Sequence, residues 1–233
     1  MATTIGSVSV SLSHRLLDSV ASAGTDGETF SSAIRLQYIQ DGQKTFWQFF
    51  YENVFKRLLT NSYDKFTDTS DVALLMRLST WYPTVSKAAD VSAVIDLSVA
   101  DFANMTDVIK VFHADDFKNV TLVPKLEIGN VDDFTSRYYP SFLRPVAYVS
   151  GTNLYIKPAD TNNKLKNFNI TFIRSPDYTD GNSDTLLWDD TFIPDLISLA
   201  ESHAYHDNGE PEKASAIQNR VFANYGVTQG TPQ

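Results

Sequence analysis

Between Pro145 and Pro176 apolar side chains recur at every second position, a spacing that a strand sorts onto opposite faces and a helix cannot. Val146 and Tyr148 alternate with Ala147 and Val149. Ser150-Gly151-Thr152-Asn153 reads as a four-residue hairpin loop in which glycine supplies a positive φ. Leu154-Tyr155-Ile156 runs back and Pro158 stops it. After a polar turn at 160–163, Phe168, Ile170 and Phe172 alternate with Asn169, Thr171 and Ile173. The pattern predicts a small antiparallel β-unit with one buried face and one partly wet face.

The flanking segments read differently. Leu12, Leu16 and Val20, widened by Leu17, predict a helix over 11–23, preceded by a polar arm at 1–6 and ended by Gly24-Thr25-Asp26-Gly27. A longer helical stretch runs over 30–59, with Gly42 as the place for a kink, since glycine costs about 1 kcal/mol there against alanine. Its second half carries Phe46, Trp47, Phe49, Phe50, Tyr51 and Phe55 on more than one helical face. Such a helix is either buried by several neighbours or keeps one face for another subunit. Pro194 and Asp195 open a helix with Leu196, Leu199, Ala200 and His203 on one face. Glu210-Pro211-Glu212 opens a last one with Ala214, Ile217, Val221 and Tyr225 as its stripe, and 227–233 is a tail.

The middle of the chain is less regular. Residues 61–70 are a loop. Residues 71–79 carry Val72, Leu75, Met76 and Leu78 at a spacing that suits a short helix or a strand. Val91 to Leu97, Val108 to Phe112 and Val120 to Leu126 are extended, with a turn at 115–117. Asn130 is placed to cap a short helix over 131–138. Together these predict one α+β domain over 1–233: a helical bundle from the N-terminal helices (1–60) and a C-terminal helical hairpin (192–226), with a β-rich insertion at 91–176 holding a β-hairpin or small antiparallel sheet.

Composition narrows function. The 233 residues are 42% hydrophobic and 12% aromatic, enough for a core, and the net charge is −9. Clustered Lys and Arg of the kind that grip nucleic acid are missing, though an acidic ring could still let DNA pass. Without cysteine there is no disulfide or thiolate site. No leader and no apolar run of membrane length are seen, so a product of the host cytoplasm without membrane contact is expected.

Candidate chemistry is sparse. His203 and His206 lie one turn apart near Glu201 but lack a third metal ligand, and His113 sits beside Asp115 and Asp116 in a solvated turn. The pairs Asp115-Asp116, Asp132-Asp133 and Asp189-Asp190 suit turns and caps better than acid–base catalysis, which needs convergence and a desolvated partner. No catalytic residue, cofactor or metal site is expected. Tyr148, Tyr155, Phe168 and Phe172 suit cross-strand packing, or stacking on a sugar or base.

Gly151-x-x-Leu154-Tyr155-x-x-Pro158, a third strand ending at Pro176, and a helical hairpin at 192–226 make an order that resembles the head-to-tail connector (portal adaptor) proteins of tailed bacteriophages. A further adaptor-like turn is matched by Leu97, Asp101 and Phe102, with Ser98 where those proteins have proline and one residue inserted. The resemblance implies a virion protein at the head–tail junction. It implies a closed ring, commonly of twelve copies, that contacts the portal, the tail or further ring proteins, and passing double-stranded DNA transiently. Packing and interface roles are expected of Phe46, Trp47, Phe50, Phe55, Leu196, Leu199, Val221 and Tyr225, and partner contacts of Gly151, Tyr155 and the tail. The alternatives are a tail-side ring, or a host- or carbohydrate-binding module built on the aromatic strands; an enzyme is the most distant.

Overall fold

The computed structural model describes residues 3–21, 32–59, 69–89, 93–114, 118–141, 143–158, 167–177 and 186–225. The expected turns at 24–27, 115–117 and 160–163, most of the loops at 61–70 and 177–184, and the tail at 227–233 lie outside the described residues. The chain divides into two compact units, one of residues 1–80 with 176–233 and one of residues 81–175.

The first unit is helical. Helix α1 (Ile5–Ala21) begins within the expected polar arm, because the Thr4 hydroxyl accepts the Ser7 backbone N–H (3.3 Å) and caps the helix there. Ile5, Val8, Leu12 and Leu16 form its buried stripe. Helix α2 (Ser32–Phe50) runs through Gly42 unbroken, correcting the expected kink. One π-helical turn (Tyr51–Phe55) and a short α3 (Lys56–Leu59) continue it. The wider π turn carries one more residue per turn, so adjacent Val54 and Phe55 are both buried. Residues 71–79 resolve largely into helix α4 (Thr69–Arg77). Helices α5 (Ile193–Asp207) and α6 (Pro211–Ala223) each carry proline in the first turn, where its missing N–H costs no helical bond. Helix α5 packs against α1, α2 and α6.

The second unit is a seven-stranded sheet: β1 (Thr84–Ala88), β2 (Val94–Asp96), β3 (Met105–His113), β4 (Lys118–Leu122), β5 (Val146–Ser150), β6 (Asn153–Lys157) and β7 (Asn167–Arg174), in the order β1-β7-β3-β4-β5-β6-β2. All neighbours are antiparallel except β4 and β5, where Thr121 pairs with Val146 in parallel. The sheet curls into a nearly closed barrel. This overturns the expected helical bundle with a small antiparallel hairpin inserted. The reason lies in strands such as β1, whose Thr-Val-Ser-Lys-Ala has no strong alternation. Pairing with β7 makes it a strand: Thr84 lies opposite Thr171 and Ala88 opposite Asn167. Strand β7 also pairs with β3, so it lies inside the sheet. Its Phe168, Ile170 and Phe172 share the buried face that their spacing predicts, against Val111, Phe102 and Leu154.

Two local expectations also change. Ser150 pairs with Asn153, so the hairpin loop shortens to Gly151 and Thr152, with Gly151 at φ +62°. The helix expected over 131–138 does not form. A 3-10 helix (Lys125–Asn130) and successive turns stand in its place. The Asn130 amide donates back to the Glu127 carboxylate (2.6 Å) and caps no helix. Asp133 then accepts the Thr135 N–H (2.9 Å) and hydroxyl (2.8 Å), closing a turn that competes with helix.

Candidate functional site

The aromatic residues expected at interfaces are largely consumed inside the helical unit. Phe46, Phe50 and Phe55 are fully buried, as are Leu196, Leu199 and Val221. Phe46 stacks on Trp188 (centroids 4.9 Å apart, 29° between planes) and Phe49 on Phe222 (4.5 Å, 9°), while Phe192 meets Phe50 edge-on (5.5 Å). The Arg77 guanidinium lies over Phe192 at 4.1 Å while its Nε donates to Thr191 (2.7 Å), tying α4 to the start of α5. Tyr225, half-buried, donates to the Asp195 carboxylate at 2.6 Å; burial first and that carboxylate second hold its hydroxyl protonated far above the usual tyrosine range. Trp47 differs: half-buried, it stacks on Tyr51 (5.0 Å, 22°) at the unit's edge.

Among the described residues, the imidazole and carboxylate candidates do not gather into one site. His203 hydrogen-bonds Thr45 (3.0 Å), and burial lowers its pKa against the opposing pull of Asp41 and Asp207. Glu201 is engaged by Arg15 at 3.5 Å. His113 packs edge-on against Phe168 (4.8 Å). Asp189 accepts the Thr191 N–H (3.0 Å) ahead of α5, and its pKa is lowered by its bonds to Thr191. Among the described residues, no three metal-capable side chains gather.

The sheet unit presents a different surface. Between β4 and β5 the chain makes an excursion over residues 125–144, and among its described residues four large apolar side chains stand in solvent: Leu126 is 99% exposed, Leu143 87%, Phe134 81% and Tyr139 48%. The excursion is itself well bonded. Val131 and Tyr138 pack with Val146 beneath it, Arg137 stacks on Tyr138 (4.7 Å), and Ser141 and Arg144 form a bridge. A cleft of about 410 Å³ opens beside it, walled by Val131, Tyr139, Pro140, Tyr155, Ile156 and Pro158. Asp132 and Lys157 meet across one side at 2.8 Å, a bond that raises the Lys157 pKa. Tyr155 stacks on Tyr148 (5.2 Å, 12°), which fixes that wall. Gly151 sits exposed at the tip of the β5–β6 hairpin.

Of the residues singled out in the sequence, Tyr155 belongs to this cleft and Gly151 to the neighbouring hairpin. Leu126, Phe134, Tyr139 and Leu143 escaped sequence reasoning. Local spacing could not single them out, because the same segment holds Ile128, Val131 and Tyr138, which pack inward, at no helical or strand period that separates the two sets. Compared with known proteins, the chain matches no protein-family model and no curated sequence.

Proposed function

We propose that this chain is a structural subunit of a tailed-bacteriophage virion, one copy of a head-to-tail connector ring docked beneath the portal and joined to the tail. The observation that carries the reading is the 125–144 excursion, whose Leu126, Phe134, Tyr139 and Leu143 are held out in solvent by a well-bonded turn array. Large apolar groups exposed together on an ordered segment mark a surface that a partner covers. The pattern resemblance through Gly151, Leu154, Tyr155 and Pro158 supplies the kind of assembly.

In this reading each copy contacts the next heterologously, and the rotation closes into a ring, commonly of twelve copies. The net charge of −9 leaves a lumen that repels phosphate and keeps passing DNA mobile. Electron microscopy of the purified protein, alone and with its portal, tests this: rings with a central opening are expected. A persistent monomer in both samples counts against it. The tyrosine-walled cleft favours one second reading, a saccharide-binding module, which a glycan array with no bound sugar would discard.

A further inference from the structure

We infer that the cleft beside the 125–144 excursion is a binding site for an uncharged sugar ring, stacked on Tyr139 and Tyr155 and hydrogen-bonded by Asp132 and Lys157. The inference rests on the saccharide reading given second above, and it names the residues and the class of sugar.

The site lies wholly within the sheet unit. Strand β6 supplies Tyr155 and Lys157, and the excursion supplies Asp132, Tyr139 and Pro140. Its volume of about 410 Å³ falls in the usual range for small-molecule sites. Among the described residues that line it, the polar side chains are two tyrosines and one ion pair, and the rest are valine, isoleucine and proline.

The aromatic walls are held before any ligand arrives. Tyr155 lies directly across from Tyr148 of β5, ring against ring at 5.2 Å and 12°. That stack covers one face of Tyr155 and fixes its plane. Tyr139 is 48% exposed, but its backbone is pinned. Its N–H donates to the Ser136 carbonyl (3.0 Å), and just beyond it Ser141 and Arg144 exchange two backbone bonds (3.1 and 2.9 Å). Walls ordered in advance carry little entropy cost into a complex. A tyrosine has an apolar face and a polar tip, which suits a ligand that is apolar on one face and polar at its edge.

Charge selects against other classes of ligand. Asp132 Oδ1 accepts from Lys157 Nζ at 2.8 Å, so the lining carries no net charge. A phosphate or carboxylate would compete with Asp132 for the ammonium, and a cation would compete with Lys157 for the carboxylate. A wholly apolar ligand would cover the pair and return nothing for its lost water. A hydroxyl both donates and accepts. Two neighbouring hydroxyls can therefore meet the pair together, one donating to the Asp132 carboxylate and the other accepting from the Lys157 ammonium. Side-chain exposure of 83% for Asp132 and 34% for Lys157 leaves both within reach. An uncharged pyranose offers both features at once: a C–H face for the tyrosines and adjacent hydroxyls at its edge.

The full chain is screened on a glycan array and then titrated, isotope-labelled, by NMR with the methyl pyranosides of glucose, mannose and galactose. Cyclohexanol, a ring without adjacent hydroxyls, and glucuronate, a ring with a charge, serve as controls. At least one glycoside is expected to shift the amides of Tyr139, Tyr155 and Lys157, with both controls at least about 10-fold weaker. Tyr139→Ala and Asp132→Asn are each expected to weaken that glycoside at least about 10-fold while sedimenting like wild type. Circular dichroism and melting confirm that both are folded, and Lys157→Gln replaces Asp132→Asn if that variant melts early. Controls that bind as tightly as the glycoside overturn the class of ligand. Variants that bind sugar like wild type overturn the cleft while leaving the saccharide reading in place. No shift with any glycoside overturns the inference, and a blank array beside it overturns the saccharide reading too.

Discussion

Gly42 faces Ala200 across the α2–α5 contact: a Cβ at position 42 would lie 3.0 Å from the Ala200 nitrogen, 3.3 Å from its Cα and 3.3 Å from the Leu196 carbonyl oxygen. All three are backbone atoms of α5, so no side chain can swing aside. A glycine in mid-helix, costly for α2 alone, lets the two helices pack backbone to backbone. Gly42→Ala should therefore destabilise the protein by about 1–3 kcal/mol, overpacking outweighing the helix gain of about 1 kcal/mol. Urea denaturation measures it. A more stable variant would show that α2 and α5 separate freely.

Tyr225 should matter through one hydrogen bond. Tyr225→Phe keeps the ring against Phe50 (5.2 Å) but removes the donor to Asp195. A bond to a charged acceptor contributes about 1.5–3 kcal/mol. The same bond sets a pH signature. The folded hydroxyl keeps its proton well above the unfolded value near 10, so the unfolded chain loses that proton first as pH rises. The Tyr225 contribution is complete below about pH 10 and declines above it. Melting between pH 9 and 11 should fall less in Tyr225→Phe than in wild type; equal slopes would refute the assignment.

His203 works at the other end of the scale. Its folded pKa lies below the usual histidine value, because burial between α2 and α5 outweighs Asp41 and Asp207, with His206 pushing the same way as burial. The unfolded state therefore takes up a proton first as the solution is acidified. Stability linked to His203 is full above about pH 6.5 and is lost as pH falls from there towards the lowered folded value. Urea midpoints at pH 7.5 and 5.5 should converge in His203→Gln relative to wild type. A wild-type midpoint that rises on acidification, and rises less in the variant, would reverse the sign.

Gly151 separates conformational need from packing need. Its φ of +62° requires the left-handed region, yet nothing lies within 4 Å of a Cβ built there. Gly151→Ala should cost about 1–2 kcal/mol and Gly151→Asn less, since asparagine tolerates that region. Thermal melts of both variants check the order; at Gly42, where space decides, asparagine should be far worse than alanine.

Much of the architecture could be read locally. Helices α2, α5 and α6, strands β5 to β7 and the positive φ of Gly151 follow from periodicity, proline placement and turn chemistry, which act over a few residues. The early start of α1 followed from Thr4, a capping residue within the stretch taken for an arm. Strand β1 was not legible as a sheet member, because a short segment with weak alternation becomes a strand only when a partner's ladder takes its hydrogen bonds.

By itself the amino-acid order determined where the chain can be helical or extended, that it has no thiol chemistry, and that it is acidic. Only the tertiary structure decided that Phe46, Phe50 and Phe55 are spent in the helical core while Phe134 and Leu143 are left outside. Backbone preference is a property of neighbours along the chain. Burial is a property of neighbours in space, and it sorted chemically alike phenylalanines into core and surface.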